Sequence, residues 1–120
     1  MREGPLAGHL AIRFGLGLAG WISPTSAARL IGLDPQRETA VAWTGRLYAT
    51  RELVIGGAIA TADADARRGL LRWAAAMNLA DAVVLGAAGL RGRLPKAAAV
   101  PSVALALASA GLARQAAAGS

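Results

Sequence analysis

The sequence predicts an all-α integral membrane protein, a four-helix up-down bundle with a short interfacial helix between its first and second spans. Three observations carry this. Hydrophobic residues make up 55% of a 120-residue chain, and they fall in four blocks rather than being dispersed through amphipathic elements. Each block is about as long as the 17 to 25 residues that cross a hydrocarbon core. Ionisable residues nevertheless sit inside the blocks, which in lipid is tolerated mainly where they face other helices or a wet interior.

The first span runs over residues 6–22, from just after Pro5 to Trp21-Ile22-Ser23-Pro24. Arg2 could serve as the basic end of a secretory leader, but His9 and Arg13 interrupt the apolar stretch, so it is read as a retained span. Ser23-Pro24 then offers a helix start with Pro in the first turn. Ala27, Ala28, Leu30 and Ile31 give a short apolar stripe, read as a two-turn interfacial helix. Asp34-Pro35-Gln36-Arg37-Glu38 is a polar turn, and the second span follows over 39–61. The polar stretch from Ala62 to Arg68 leads to a third span, 70–90. Arg91-Gly92-Arg93-Leu94-Pro95-Lys96 closes it, and the last span covers 97–113, with Pro101 marking its true start or a kink. The whole chain, 1–120, is thus one four-helix transmembrane domain.

Trp21, Trp43 and Trp73 fall at the ends of these spans, where amphipathic indoles prefer to sit. Lys and Arg divide evenly between the two sides of such a bundle and give no orientation. The formal charge of +6 is scattered rather than gathered on one face, which argues against nucleic acid and for anionic lipid head groups. The expected partners are therefore the bilayer and other membrane-protein subunits. Abundant Ala, Gly and Arg fit a GC-rich bacterial genome, so the expected location is the bacterial plasma membrane, in multi-pass form. A soluble helical bundle is the rival fold, which membrane fractionation separates.

The polar residues inside the spans are the candidate site. If the second and third spans form a hairpin pivoting near Ala66, Arg51 and Asp81 lie fifteen residues on either side and meet at mid-membrane, with Glu52 at nearly the same level. Tyr48 shares a face with Arg51 and Glu52, as Asn78 does with Asp81. Each such charge costs on the order of 2.5 to 3.5 kcal/mol on insertion scales and needs a partner. His9, Arg13 and Arg46 are secondary members. Counting Arg13, Arg46 and Arg51 against Glu52 and Asp81 leaves one excess cation, which Arg46 can absorb by snorkelling towards Trp43. The simplest role for the cluster is an internal salt-bridge lock.

Gly15-Leu16-Gly17-Leu18-Ala19-Gly20 matches G-x-G-x-x-G, but the strand that a dinucleotide site needs is missing, so close helix packing is the better account. Gly17 and Gly20 share a face with His9 and Arg13. The chain has no Cys and a single His, and no triad, P-loop or metal constellation can be assembled. No catalytic residue, metal ligand or cofactor is expected.

The order of features resembles the small bacterial four-helix membrane proteins of the DoxX and DoxD-like superfamily, in particular a branch known only as a domain of unknown function. The residues that carry it are a Gly-rich first helix with Arg13, Pro24 followed by Ala27-Ala28 and Gly32, then Arg46, Arg51-Glu52-Leu53 with Gly56, and Asp81-Ala82-Val83-Val84. The resemblance spans nearly the whole chain and implies a four-helix integral membrane domain without an established activity. The expected function is a non-enzymatic accessory or scaffolding subunit of a larger membrane complex, such as a transporter of lipids or other hydrophobic substrates. The alternative is a protein that binds a quinone, a lipid head group or a proton at the Arg/Glu/Asp cluster.

Overall fold

The computed structural model describes residues 3–30, 33, 34, 36 and 40–119. Among them the chain forms five helices and no strand: α1 (Glu3–Ile22), α2 (Pro24–Leu30), α3 (Val41–Thr61), α4 (Ala64–Leu90) and α5 (Lys96–Ala118). The expected short helix is α2. Its start follows the local chemistry, because Ser23 Oγ accepts from Ser26 N at 3.3 Å and the Ser23 carbonyl accepts from Ala27 N. Of the polar turn that follows, Gln36 N donates to Asp34 Oδ1 at 3.0 Å. Pro35, Arg37, Glu38 and Thr39 lie outside the described residues, as do Ile31 and Gly32.

Three of the expected boundaries are corrected. The third helix does not begin at residue 70, since α4 starts at Ala64 and most of the stretch read as a polar connection is its first turns. Asp63 caps that helix by accepting from Ala66 N at 2.9 Å, and Asp65 lies in the first turn, where negative charge favours the helix dipole. Arg67 folds back to the last turn of α3, donating to the carbonyls of Ile59, Ala60 and Ala62. Polar side chains thus close the α3–α4 turn from within helix. Asp63→Ala is expected to cost about 1 kcal/mol, read as a lowered thermal midpoint of the detergent-solubilised protein.

The last helix is also longer than the expected span. It runs from Lys96 to Ala118 and contains Pro101 instead of starting at it. The first helix begins at Glu3, with Pro5 in its opening turn, where the missing N–H is not needed. At the α4–α5 connection, Arg93 N bonds to the Ala88 carbonyl and Gly92 N to that of Gly89, while Gly92 takes a positive φ of 72°. This is a Schellman cap, which glycine enters without the cost a Cβ imposes.

Helix packing is antiparallel, as the facing pairs show. Gly17 meets Leu53, Gly20 meets Ala49 and Gly56 meets Phe14 across α1 and α3. Gly89 meets Ala99 across α4 and α5, whose contact is the most extensive. α1 also packs on α5, whereas α3 and α4 touch sparsely although a short turn joins them.

The interior is built from small and polar residues and the outside from large apolar ones. The buried core is mostly alanine, with Ile59 and Leu71 its only larger aliphatic members among the described residues. Trp73, Val83 and Leu90 are 79%, 71% and 88% exposed. Helices α4 and α5 are each long and apolar enough to cross a membrane. Ile59, Leu71, Ala74, Ala113 and Ala117 pack the half of the molecule near the α3–α4 turn. The other half, beneath α2, contains a cavity.

Candidate functional site

Where these two halves meet, a chain of polar side chains links all four long helices. On α1, His9 and Arg13 lie one turn apart and face inward with Gly17 and Gly20, because an i, i+4 pair projects from one side of a helix. His9 and Arg13 are fully buried and Glu52 is 2% exposed. Arg13 Nε donates to His9 Nε2 at 2.9 Å, and Arg13 Nη1 donates to Glu52 Oε2 at 3.0 Å. Arginine has donors only, so Nε2 of His9 is the acceptor and Nδ1 the donor. That nitrogen lies 3.0 Å from the Ser109 carbonyl and 3.1 Å from Ser109 Oγ, reaching α5. Asn78 Nδ2 of α4 donates to the same Oγ at 2.9 Å.

Arg51 completes the chain on the other side of Glu52. Its Nη2 donates to Glu52 Oε1 at 3.3 Å, and its two terminal nitrogens donate to the two carboxylate oxygens of Asp81, with Nη1 to Oδ1 at 3.3 Å. The Tyr48 ring stacks on the guanidinium, with a centroid distance of 4.8 Å. Every oxygen of Glu52 and Asp81 therefore accepts from an arginine. Two cations face two anions, and the set is neutral.

The expected Arg51–Asp81 pair forms, but not by the expected geometry. The turn centres on Ala62–Asp63, not on Ala66, so the two residues are not equidistant from it. Two further expectations are corrected. Asn78 does not join Asp81 but turns to α5, because Ser109 offers the hydroxyl within reach there. Arg46 is outside the cluster and lies over Trp21, not Trp43, with its guanidinium 5.9 Å from the ring. Trp21 is fixed for this by donating from Nε1 to Thr50 Oγ1 at 3.1 Å. The excess cation counted in the sequence thus leaves the interior, and it does so at the level of the first tryptophan.

One member, Ser109, was not singled out by sequence reasoning, and another, Arg13, ranks higher than the secondary place expected for it. Arg13 is the main partner of Glu52, and Ser109 is the hub that joins His9 to Asn78. The signal for Ser109 was its isolation as the one polar side chain in the run Val103–Ala110. Arg13 Nη2 and Arg51 Nε are buried and have no hydrogen-bond partner among the described residues.

Above this floor lies a partly enclosed cavity of about 410 Å³. Tyr48, Glu52, Asn78 and Ser109 bound its inner end. Its walls are apolar and come from all four long helices, with Leu16 and Leu105 among them, and Pro24, Ala27 and Ala28 of α2 line its outer end. Along α3 it extends from Thr44 to Glu52, about 12 Å at the helical rise per residue. The volume falls within the range of small-molecule sites, roughly 300 to 1,000 Å³, and the lining has their usual make-up of apolar walls with a few convergent polar groups. No group of His, Cys, Asp and Glu that could hold a metal ion occurs among the described residues. No family model matches the chain, and no curated protein or solved structure is similar to it.

Proposed function

We propose that this chain is a multi-pass four-helix protein of the bacterial plasma membrane that binds a small lipophilic molecule in the cavity above its charged floor. The cavity carries the proposal, since a salt-bridge lock alone needs no empty space beside it. Membrane residence is supported by the inverted distribution of side chains. Tryptophan, valine and leucine cover the outside while alanine, glycine and ionised groups fill the inside, the arrangement that suits acyl chains outside and close helix contact within. The long axis of 44 Å is sufficient to cross a hydrocarbon core of about 30 Å with its interfacial layers. Up-down topology with α2 lying in one interface accords with the antiparallel facing pairs and with the apolar stripe of α2. The likeness to DoxX and DoxD-like proteins, carried by Arg13, Arg51-Glu52-Leu53 and Asp81, belongs to the same proposal.

A docking subunit of a larger complex has no feature of its own in this fold, because the exposed aliphatic faces of α4 and α5 suit lipid as well as a partner helix. Binding without catalysis is the role that fits the site. Glu52 and Asp81 are each engaged by arginine, so neither is placed to take up a proton from a ligand.

The proposal is tested by purifying the protein from carbonate-washed membranes in mild detergent and extracting it for mass spectrometry. A lipophile in one-to-one amount is expected from the wild type and is expected to be lost from Ser102→Trp, which fills the cavity wall. Release of the protein by carbonate would overturn membrane integration, and identical extracts from both proteins would overturn the site.

A further inference from the structure

The chemistry of the cavity floor also selects the head group of what enters. Resting on the cavity being a ligand site, we infer that its ligand is uncharged: a compact amphiphile with a hydroxyl or carbonyl head held at mid-bilayer by Asn78, Ser109 and Tyr48, and an apolar body reaching outward to α2.

The charge balance of the floor excludes ionic heads. Glu52 Oε1 and Oε2 accept from Arg51 and Arg13, and both oxygens of Asp81 accept from Arg51. A phosphate or carboxylate brought here meets no unpaired cation, and an ammonium meets no unpaired anion. Either would give up its hydration for a set whose charges already balance, and an ion without a counter-charge is the costliest group to bury. Arg13, which retains a free Nη2 donor, lies behind Glu52 and does not line the cavity. Arg46, the cation left over, is outside it on Trp21.

The floor does offer neutral partners. The Asn78 carboxamide has two donors and an acceptor, and its one hydrogen bond among the described residues goes to Ser109 Oγ. Tyr48 lines the cavity beside it and contributes a phenol. A hydroxyl or carbonyl pairs with such groups without a charge on either side. The polar end is the deep one and the route to α2 is apolar, so the head lies far from the membrane surface, the reverse of a bilayer phospholipid. About 12 Å of depth admits a short chain or a single ring system, not a two-tailed lipid.

The test uses the full-length protein in nanodiscs, a diazirine derivative of decanol as photoprobe, and competitors that share its chain and differ in head charge: decanol, decyl sulfate and decyltrimethylammonium. Labelling is mapped by mass spectrometry. Decanol is expected to compete, while both ions are weaker by about tenfold or more, as burial of an unpaired charge requires. Asp81→Asn does not touch the cavity but leaves the floor with one uncompensated positive charge, and it is expected to shift preference to decyl sulfate. Glu52→Gln serves as a second variant of the same charge and nearly the same shape. Equal competition by all three heads, with labelling of Leu16 or Leu105 peptides lost in Ser102→Trp, would leave the cavity as a site and overturn the uncharged head. Labelling that no competitor reduces, or that Ser102→Trp leaves unchanged, would overturn the cavity itself. A decanol preference that persists in both charge variants would also overturn the inference, since the balance of Arg and carboxylate would then not set it.

Discussion

Glu52→Ala is expected to cost about 3 to 5 kcal/mol, the loss typical when one partner of a buried ion pair is removed. Arg13 is fully buried, and its Nη1 lies 3.0 Å from Glu52 Oε2. Without the carboxylate, the guanidinium keeps only its bond to His9 among the described residues, and the one carboxylate left in the cluster, Asp81, is bonded to Arg51. Arg51 would lose a second acceptor at the same time. The measurement is recovery of monodisperse protein in detergent, with its thermal midpoint. The double variant Arg13→Met/Glu52→Leu is the informative contrast. It removes both charges and keeps similar volumes, so no orphan ion remains and the fold is expected to persist, less about 1 kcal/mol for the His9 hydrogen bond. A single Glu52→Ala variant as stable as wild type would show that the ion pair does not hold α1 to α3.

Gly20→Leu is expected to destabilise by about 2 kcal/mol or more through overpacking at the α1–α3 contact. A Cβ on Gly20 would lie 2.9 Å from Ala49 Cβ and 3.4 Å from the Gly45 carbonyl. These are atoms of the α3 backbone and its first side-chain carbon, so the two helices must separate. Separation also stretches the Arg13–Glu52 bond, which lies on the same face. Gly17 is tighter still, since a Cβ there would lie 2.6 Å from Leu53 Cγ and 3.3 Å from the Ala49 carbonyl of α3, and Gly17→Leu is expected to destabilise at least as much. Gly15, the first glycine of the G-x-G-x-x-G match, has nothing within 4 Å. Gly15→Leu is accordingly expected to be neutral in the same thermal assay. Such a gradient across the three glycines matches helix packing, whereas a phosphate-binding loop would need all three.

Several particulars show how far the chain could be read from its residues. The helical blocks and the short α2 were legible because apolar runs and Ser23-Pro24 act locally. Their ends were less so. Residues 62–68 look polar, yet Asp63, Asp65 and Arg67 are polar because they close a turn from within helix, by a cap and by reaching back to α3. Arg51 and Asp81 were paired correctly because a charge within an apolar helix must find an opposite one, and few were available. Glu52 was placed at the right level without its principal partner, since Arg13 comes from a helix 39 residues away in the chain.

Composition and pattern alone determined that the chain is helical, that small residues form its contacts, and that its ionised groups must compensate one another. These follow from backbone hydrogen bonding and from the cost of burying charge, which are the same wherever the helices sit. Only the tertiary structure decided which groups pair, that Arg46 leaves the interior for Trp21, and that a cavity of about 410 Å³ lies beside the charged cluster. A cavity is the volume that neighbouring helices fail to fill, and that depends on how α3 and α4 diverge, which no single segment encodes.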